Sequence, residues 1–443
     1  PSRISKSVLV IDEAQDMCRE EFELVKALMD RNEELRLIAV GDDAKNIFEF
    51  RGSDSKYMRF LAEGPGGRFI EMTQNYRSSR DIVKFANAFA QRIGNRLKKT
   101  PIEAVSGDKG NVEVVLHTSD VLFEPLVNHL MRLIGEGGTS CVLTQTNEEA
   151  AMILAMLTER GVKARLVQSL DGFRFTKLAE VKYLFKELRK KMTLSGGKML
   201  PVMQDEVWNA ARDNLKRVYG RSSCLSYVLN FMSKFERTTK EKYWTDFLEF
   251  AYESSLEDFN DFSGADVIVS TIHKSKGYEF DNVYMLVKKG YQQDDAQMRK
   301  YYVGMTRAKK GLFIHTNSDI FSGLDGCRYF TDKSVYSMPE EIVLQLTHKD
   351  VFLDFFKTRK KEILSMRSGD SLAFFENKLY HIGEHDERGF CVAILSVSMK
   401  NQLNSWREKG YEVLAASVRF VVAWKAKDAQ PDEPESAIIL PDL

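Results

Sequence analysis

Apolar positions along this chain follow two rhythms. Val8–Ile11 is an uninterrupted β-rich run, the pattern of a strand buried on both faces of a parallel sheet. Phe22, Leu24, Val25 and Leu28 instead fall at helical spacing within Glu21–Met29. The alternation continues with predicted strands at Leu35–Val40 and Phe69–Met72. A helix through Ile82, Val83, Phe85, Ala86, Phe89 and Ala90 then closes a first domain near Gly94. After a polar linker, Thr100–Gly110, strand-like and helix-like segments alternate at Val112–Leu116, Phe123–Leu133, Ser140–Thr144, Glu148–Glu159 and Ala164–Val167. That order predicts a second α/β layer.

From Ser195 to Phe262 the pattern turns helical, polar and aromatic, which predicts a helical insertion. Strands resume at Asp266–Ser270, Asn282–Val287 and Gly311–Thr316. Beyond Ser334 the expected elements are a basic amphipathic helix, Phe352–Leu364, strands at Ser371–Phe375 and Lys378–Ile382, a helix at Met399–Lys409 and a β-rich Val418–Trp424. The Pro-rich acidic tail, Gln430–Leu443, has little to bury. The chain thus reads as α/β, with domains at 1–99 and 100–333, the insertion at 195–262, and a small α+β module at 334–443.

A length of 443 residues suits about two to four domains. Its 64 basic and 64 acidic residues balance, yet neutrality leaves room for a basic groove offset by acidic surface. The five cysteines lie far apart without a CxxC pair. That argues against a disulfide framework or zinc site and for a reducing, cytoplasmic setting. No apolar run approaches the roughly 20 residues of a membrane span, so no membrane partner is expected.

The chemistry concentrates where strands end. Asp12 and Glu13 follow the first strand at once, and ligands of open α/β sheets bind at strand carboxyl ends. Two readings stay open for this pair. It holds Mg²⁺ and orients an attacking water, or it caps the next helix on the surface. A nucleotide-hydrolysing site also needs a GxxxxGK[ST] phosphate loop, and these residues contain none. The chain opens at Pro1 just before a core strand, so the expectation is a C-terminal part of a longer protein.

Five segments then decide the matter: VLVIDEAQD (Val8–Asp16), GDDAKNIFEFRGS (Gly41–Ser53), NYRSS (Asn75–Ser79), STIHKSKGYEF (Ser270–Phe280) and YYVGMTRAKK (Tyr301–Lys310). In this order the chain resembles the UvrD/Rep-type superfamily 1 DNA helicases over residues 8 to about 316. The resemblance implies two RecA-like domains, with ATP and Mg²⁺ between them and the phosphate loop in an upstream part. It implies that Asp12 and Glu13 hold the metal, that Glu13 activates water and that Gln15 senses the nucleotide. Arg77 and Arg307 would reach the transferring phosphate, Arg307 as an arginine finger. Tyr76 would stack on the adenine and Glu279 would contact the sugar. Phe48 and Phe50 would stack on bases, with Thr271, His273, Lys274 and Lys276 near the phosphates of DNA.

Outside the resemblance each residue has a plainer role: Gln15 as a turn-holding hydrogen bond, Arg307 on a solvated face, the phenylalanines in a core. Lys45 stands where the family has a glutamine that senses the terminal phosphate, and it is expected in the ATP cleft against phosphate or an acid. The implied function is the motor part of an ATP-dependent helicase or translocase with 3′→5′ polarity, acting on single-stranded and duplex DNA. By itself the chain is expected to be inactive. The alternatives are an ATPase-inactive scaffold or clamp, or one module of a nuclease–helicase. The terminal module suggests nucleic-acid or protein contacts.

Overall fold

The computed structural model describes residues 7–443 except 33, 65, 136, 171, 194–198, 383–387, 427–428 and 431. The ordered elements begin with β1 (Val8–Ile11), α1 (Arg19–Arg31), β2 (Arg36–Ala39), α2 (Lys56–Glu63), β3 (Gln74–Asn75) and α3 (Arg80–Ala90). They continue with β4 (Glu103–Ala104), β5 (Asn111–His117), α4 (Phe123–Leu133), β6 (Ser140–Thr144), α5 (Asn147–Glu159) and β7 (Ala164–Leu166). Four helices follow: α6 (Ala179–Met192), α7 (Asp205–Tyr219), α8 (Leu225–Thr238) and α9 (Trp244–Glu253). Next come β8 (Val267–Thr271), β9 (Phe280–Val287), α10 (Asp295–Met305), β10 (Ala308–Thr316) and β11 (Arg328–Asp332). The chain ends with α11 (Lys360–Ser365), β12 (Ser371–Phe375), β13 (Lys378–Ile382), β14 (Arg388–Ile394), α12 (Val397–Glu408), β15 (Ala416–Trp424) and β16 (Ser436–Asp442).

These elements form two compact units, Pro1–Leu166 with Gly264–Glu340, and Val167–Ser263 with Glu341–Leu443. In the first unit a parallel sheet has the order β11-β5-β10-β9-β6-β8-β7. Its interior strands β6 and β8 are buried along their whole length, as expected of strands covered on both faces. β1 and β2 pair in parallel, Val8 opposite Arg36 and Ile11 opposite Ala39. The expected two-sided burial of β1 does not occur. Val10 is 60% exposed, because among the described residues β1 pairs only with β2, and only Leu9 and Ile11 pack on a core.

In the second unit the segments 167–263 and 341–443, assigned to separate modules from the sequence, share one hydrophobic core. Trp208, Phe231, Phe235 and Phe247 from α7–α9 pack there with Val422, Ile438 and Leu440 of the antiparallel sheet β14-β13-β12-β15-β16. The start placed at Ser195 lies outside the described residues, but α6 already belongs to this core through Leu184 and Leu188.

Three further expectations give way to tertiary structure. Phe69–Met72 forms no strand, and the pairing starts later, at Gln74–Asn75 against Glu103–Ala104, inside the supposed linker. The helix expected over Phe352–Leu364 is interrupted at Arg359 (φ −118°, ψ 21°), which separates a 3₁₀ turn, Leu353–Thr358, from α11. The tail is no loose end. Ser436–Asp442 is a strand paired antiparallel with β15, and Ile438, Ile439 and Leu440 are fully buried.

Candidate nucleotide and nucleic-acid site

β1 ends at Ile11, and Glu13 turns the chain with left-handed angles (φ 49°, ψ 41°) into a short 3₁₀ turn, Ala14–Asp16. The turn buries Gln15 and leaves Asp12 and Glu13 at the surface. The Gln15 amide donates to Glu13 Oε2, and its Oε1 accepts the Asp42 N–H at 2.9 Å. Gly41 permits this approach: a Cβ there would meet Gln15 Oε1 at 2.3 Å. Gln15 therefore ties the acid pair to the loop after β2, and that loop carries Lys45. The lysine ammonium lies 3.5 Å from Asp42 Oδ2, the acidic contact expected of it.

Arg77 is held from the other side. Asn75 Oδ1 accepts the N–H groups of Arg77 and Ser78 at 3.0 and 2.8 Å, and Ser78 Oγ donates to Ala308 O at 2.7 Å. These bonds pin the NYRSS turn to the start of β10, next to Arg307. The Arg77 guanidinium donates to Thr306 O at 3.2 Å and pairs with Glu279, which also meets Lys309 at 3.4 Å. Arg307 is 5% exposed. It donates to Val303 O, Tyr278 O and Thr306 Oγ1 at 3.1, 3.3 and 3.3 Å. Tyr76 is 74% exposed, its ring open to a planar ligand.

Three cations are thus crowded. Burial pushes Arg307 down to about 10, with the like charge of Arg77 adding to the effect. Burial also lowers the Lys45 ammonium, opposed by Asp42 and helped by Arg307 and Arg77. Glu13 stays below the usual carboxylate range: burial would raise it, but Gln15, Lys276 and Lys45 outweigh that. Crowded cations beside carboxylates suit a polyanion bridged by a divalent ion. Among the described residues no group of three or more His, Cys, Asp and Glu gathers for a metal. The exposed pair Asp12 and Glu13 fits Mg²⁺ instead, which is held by one or two carboxylates and completes its shell from phosphates and water.

The aromatic pair departs from a core role. Phe50 is 70% exposed and Phe48 half-buried, their ring centroids 6.1 Å apart. His273 packs against both, edge-on to Phe50 at 5.6 Å and 6.4 Å from Phe48. Burial drives His273 down to about 4, so it is neutral at physiological pH and joins the aromatic loop to the turn after β8.

Two residues expected to face DNA phosphates do not present themselves that way. Thr271 is buried, and its Oγ1 accepts the Lys274 N–H at 3.4 Å, shaping the turn. The Lys276 ammonium turns to the acids, pairing with Asp16 and lying 3.4 Å from Glu13 Oε2, because two carboxylates outweigh a solvent-facing position. Sequence reasoning overlooked Asp16 and also Arg51, whose guanidinium lies 5.1 and 5.5 Å from the Phe48 and Phe50 rings. The signal for both was present, since each lies inside a quoted motif segment.

Residues 3–63 match the UvrD/REP helicase N-terminal domain, and residues 70–250 and 186–319 match the UvrD-like helicase C-terminal domain. YjcD of Bacillus subtilis (strain 168), whose name assigns it provisionally as an ATP-dependent DNA helicase, is 26% identical over 390 residues, covering 69% of this chain and 51% of that protein. The ATP-dependent DNA helicase PcrA of the same organism is 23% identical over 399 residues, covering 69% of this chain and 54% of its own. The ATP-dependent DNA helicase Rep of Buchnera aphidicola subsp. Schizaphis graminum (strain Sg) is 22% identical over 468 residues, covering 81% and 68%. The chain spans about half the length of the first of these relatives. With the C-terminal model alone matching more than half of it, the chain belongs to the UvrD-like helicase family.

Proposed function

We propose that this chain is the C-terminal motor part of an ATP-dependent DNA helicase. It couples ATP hydrolysis to 3′→5′ movement on single-stranded DNA and to duplex unwinding, in a cytoplasmic setting. The observation that carries this reading is that Gln15 ties Glu13 to the loop bearing Lys45, while Arg77 donates to Thr306 O next to Arg307, and these cations act on one another and on Glu13. Arginine forks match phosphate oxygens in pairs, and their charge offsets what develops on the transferring phosphoryl.

In this scheme Asp12 and Glu13 would hold Mg²⁺, which would supply positive charge against the phosphates. Glu13, kept ionised by Gln15 and Lys276, accepts the proton of the attacking water. Tyr76 stacks on the base, Glu279 contacts the sugar, and Lys45 adds a positive charge where the family has a neutral amide. The intact acids and arginines favour a motor over a scaffold.

The test is ATP turnover with single-stranded DNA, measured on the full-length protein and on these 443 residues alone. The full-length protein should turn over ATP and lose turnover on Glu13→Gln. The chain alone, lacking a GxxxxGK[ST] loop, should show none. Robust turnover by the chain alone that Glu13→Gln abolishes, or none by the full-length protein, would overturn the reading.

Phe48, Phe50 and Arg51 supply π-faces and a planar cation for bases of any sequence. Replacing both phenylalanines with alanine should weaken single-strand binding by about 1–3 kcal/mol per stacked base, without sequence preference. Unchanged affinity together with a lowered melting temperature would assign the rings to folding instead.

A further inference from the structure

The sheet of the second unit has a face that the motor does not use. In the hairpin β12–β13, Leu372 and Leu379 turn inward and are buried. Strand residues alternate faces, so Ala373, Phe375, Lys378, Tyr380 and Ile382 point the other way. The register agrees: Phe375 lies opposite Lys378, and Ala373 opposite Tyr380. β14 adds Cys391 opposite Tyr380 and Arg388 opposite Ile382.

On that outer face Phe375 is 47% exposed, and the Arg388 guanidinium lies 4.5 Å from its ring centroid and 5.1 Å from that of Tyr380. Lys378 and Arg359 border the same patch. Burial raises the Cys391 thiol, and the charges of Lys378 and Arg359 oppose that rise. Glu376, in the hairpin turn with φ 49°, lies at its end, and Glu362 pairs with Arg359 at 3.3 Å.

We propose that this face, centred on Phe375, Tyr380, Lys378 and Arg388, binds single-stranded nucleic acid as a second grip, separate from Phe48 and Phe50. The occupant follows from complementarity. The exposed Phe375 ring and the half-buried Tyr380 beside it offer stacking surface for bases, and the neighbouring cations offer donors to a phosphate backbone. An acidic peptide would use the lysine and arginines but would make no use of the exposed Phe375 ring. Arg388 is already held over both rings, so little side-chain freedom is lost when a base stacks beside it. The inference stands independently of the motor reading, since it needs no ATP chemistry.

The test uses the whole chain and labelled oligo(dT) and oligo(U) of about 15 nucleotides, followed by anisotropy at two salt concentrations. The variants are Lys378→Glu with Arg388→Glu, and Phe375→Ala with Tyr380→Ala. Each pair should weaken binding at least severalfold while the melting temperature stays near that of the parent. The charge-reversed pair should also flatten the slope of log affinity against log salt by about 1.4, from about 0.7 per phosphate contact. Ultraviolet cross-links to the peptide spanning Phe375 and Tyr380 should appear in the parent and vanish in the aromatic pair. Preference for oligo(U) or oligo(dT) would identify the strand chemistry as RNA or DNA. Unchanged affinity, unchanged salt slope and no cross-link would overturn the proposal. So would poly-glutamate binding at this face while neither oligonucleotide cross-links, which would make it a protein-docking surface. Loss of ATP turnover in Glu13→Gln with these cross-links intact would separate this grip from the motor.

Discussion

Replacing Arg307 with alanine in the full-length protein should lower DNA-stimulated ATP turnover by on the order of 10³-fold or more, with single-strand affinity nearly unchanged. Arg307 follows α10 and sits beside Arg77, whose charge adds to the burial that pushes its guanidinium down to about 10. An anionic phosphate would relieve that repulsion, and relief is greatest where charge builds in the transition state. The same side chain has a structural share, since it donates to two carbonyls and a hydroxyl. Its loss leaves those acceptors short, at about 1–3 kcal/mol for a buried polar group. Arg307→Lys separates the two effects, because it keeps a charge but not the fork. Most of the turnover should still be lost while the melting temperature recovers. If turnover and DNA affinity instead fall together with the melting temperature, Arg307 is a folding residue.

Acid should destabilise the first unit through a buried chain of histidines. His117 Nε2 lies 3.0 Å from His315 Nδ1, and His315 Nε2 lies 3.0 Å from His129 Nδ1. Asp332 faces the outer nitrogen of His117 at 3.2 Å, and Glu113 faces that of His129 at 3.6 Å. Three neutral rings bring three protons to four such gaps, so one gap in the chain holds no proton. Burial lowers all three rings from 6.5, opposed by Asp332 at His117 and by Glu113 at His129, while Arg132 reinforces the shift at His129 and His315. Tyr336 and Arg328 complete the charged and titratable surroundings, through Asp332 and Glu113 respectively.

The folded chain therefore binds fewer protons than the unfolded one below pH 6.5. Stability is full above that value and falls as the pH drops from it towards the folded pKa values. Each ring contributes a slope of about 1.4 kcal/mol per pH unit, or about 4 if all three act together. Denaturation between about pH 8 and 5.5, with ring-proton titration by NMR, checks this. Flat stability, or three rings titrating near their ordinary value, would contradict it.

Much of the fold was legible in short stretches. The continuous apolar runs at Ser140–Thr144 and Asn282–Val287 are strands because two-sided burial leaves a purely local mark. The hairpin Ser371–Phe375 and Lys378–Ile382 appears at its expected bounds. Asp12 and Glu13 stand at a strand end, and Arg77 and Arg307 lie in segments that the sequence alone singles out.

What escaped the sequence depends on partners far along the chain. Ile438–Leu440 looked like tail because its burial comes from β15, which supplies the ladder and the core. Lys276 was expected near DNA phosphates because it stands in a glycine-containing turn with Ser/Thr hydroxyls and a second lysine, yet its ammonium lies with Glu13 and Asp16, which only folding brings near. His117, His129 and His315 were unremarkable alone, and their shared protons exist only where β5, α4 and β10 meet. Local pattern determined where strands and helices form, because propensity and periodicity act within a few residues. Tertiary structure decided which charges pair and which strands gain partners, since both depend on distances that no window of sequence contains.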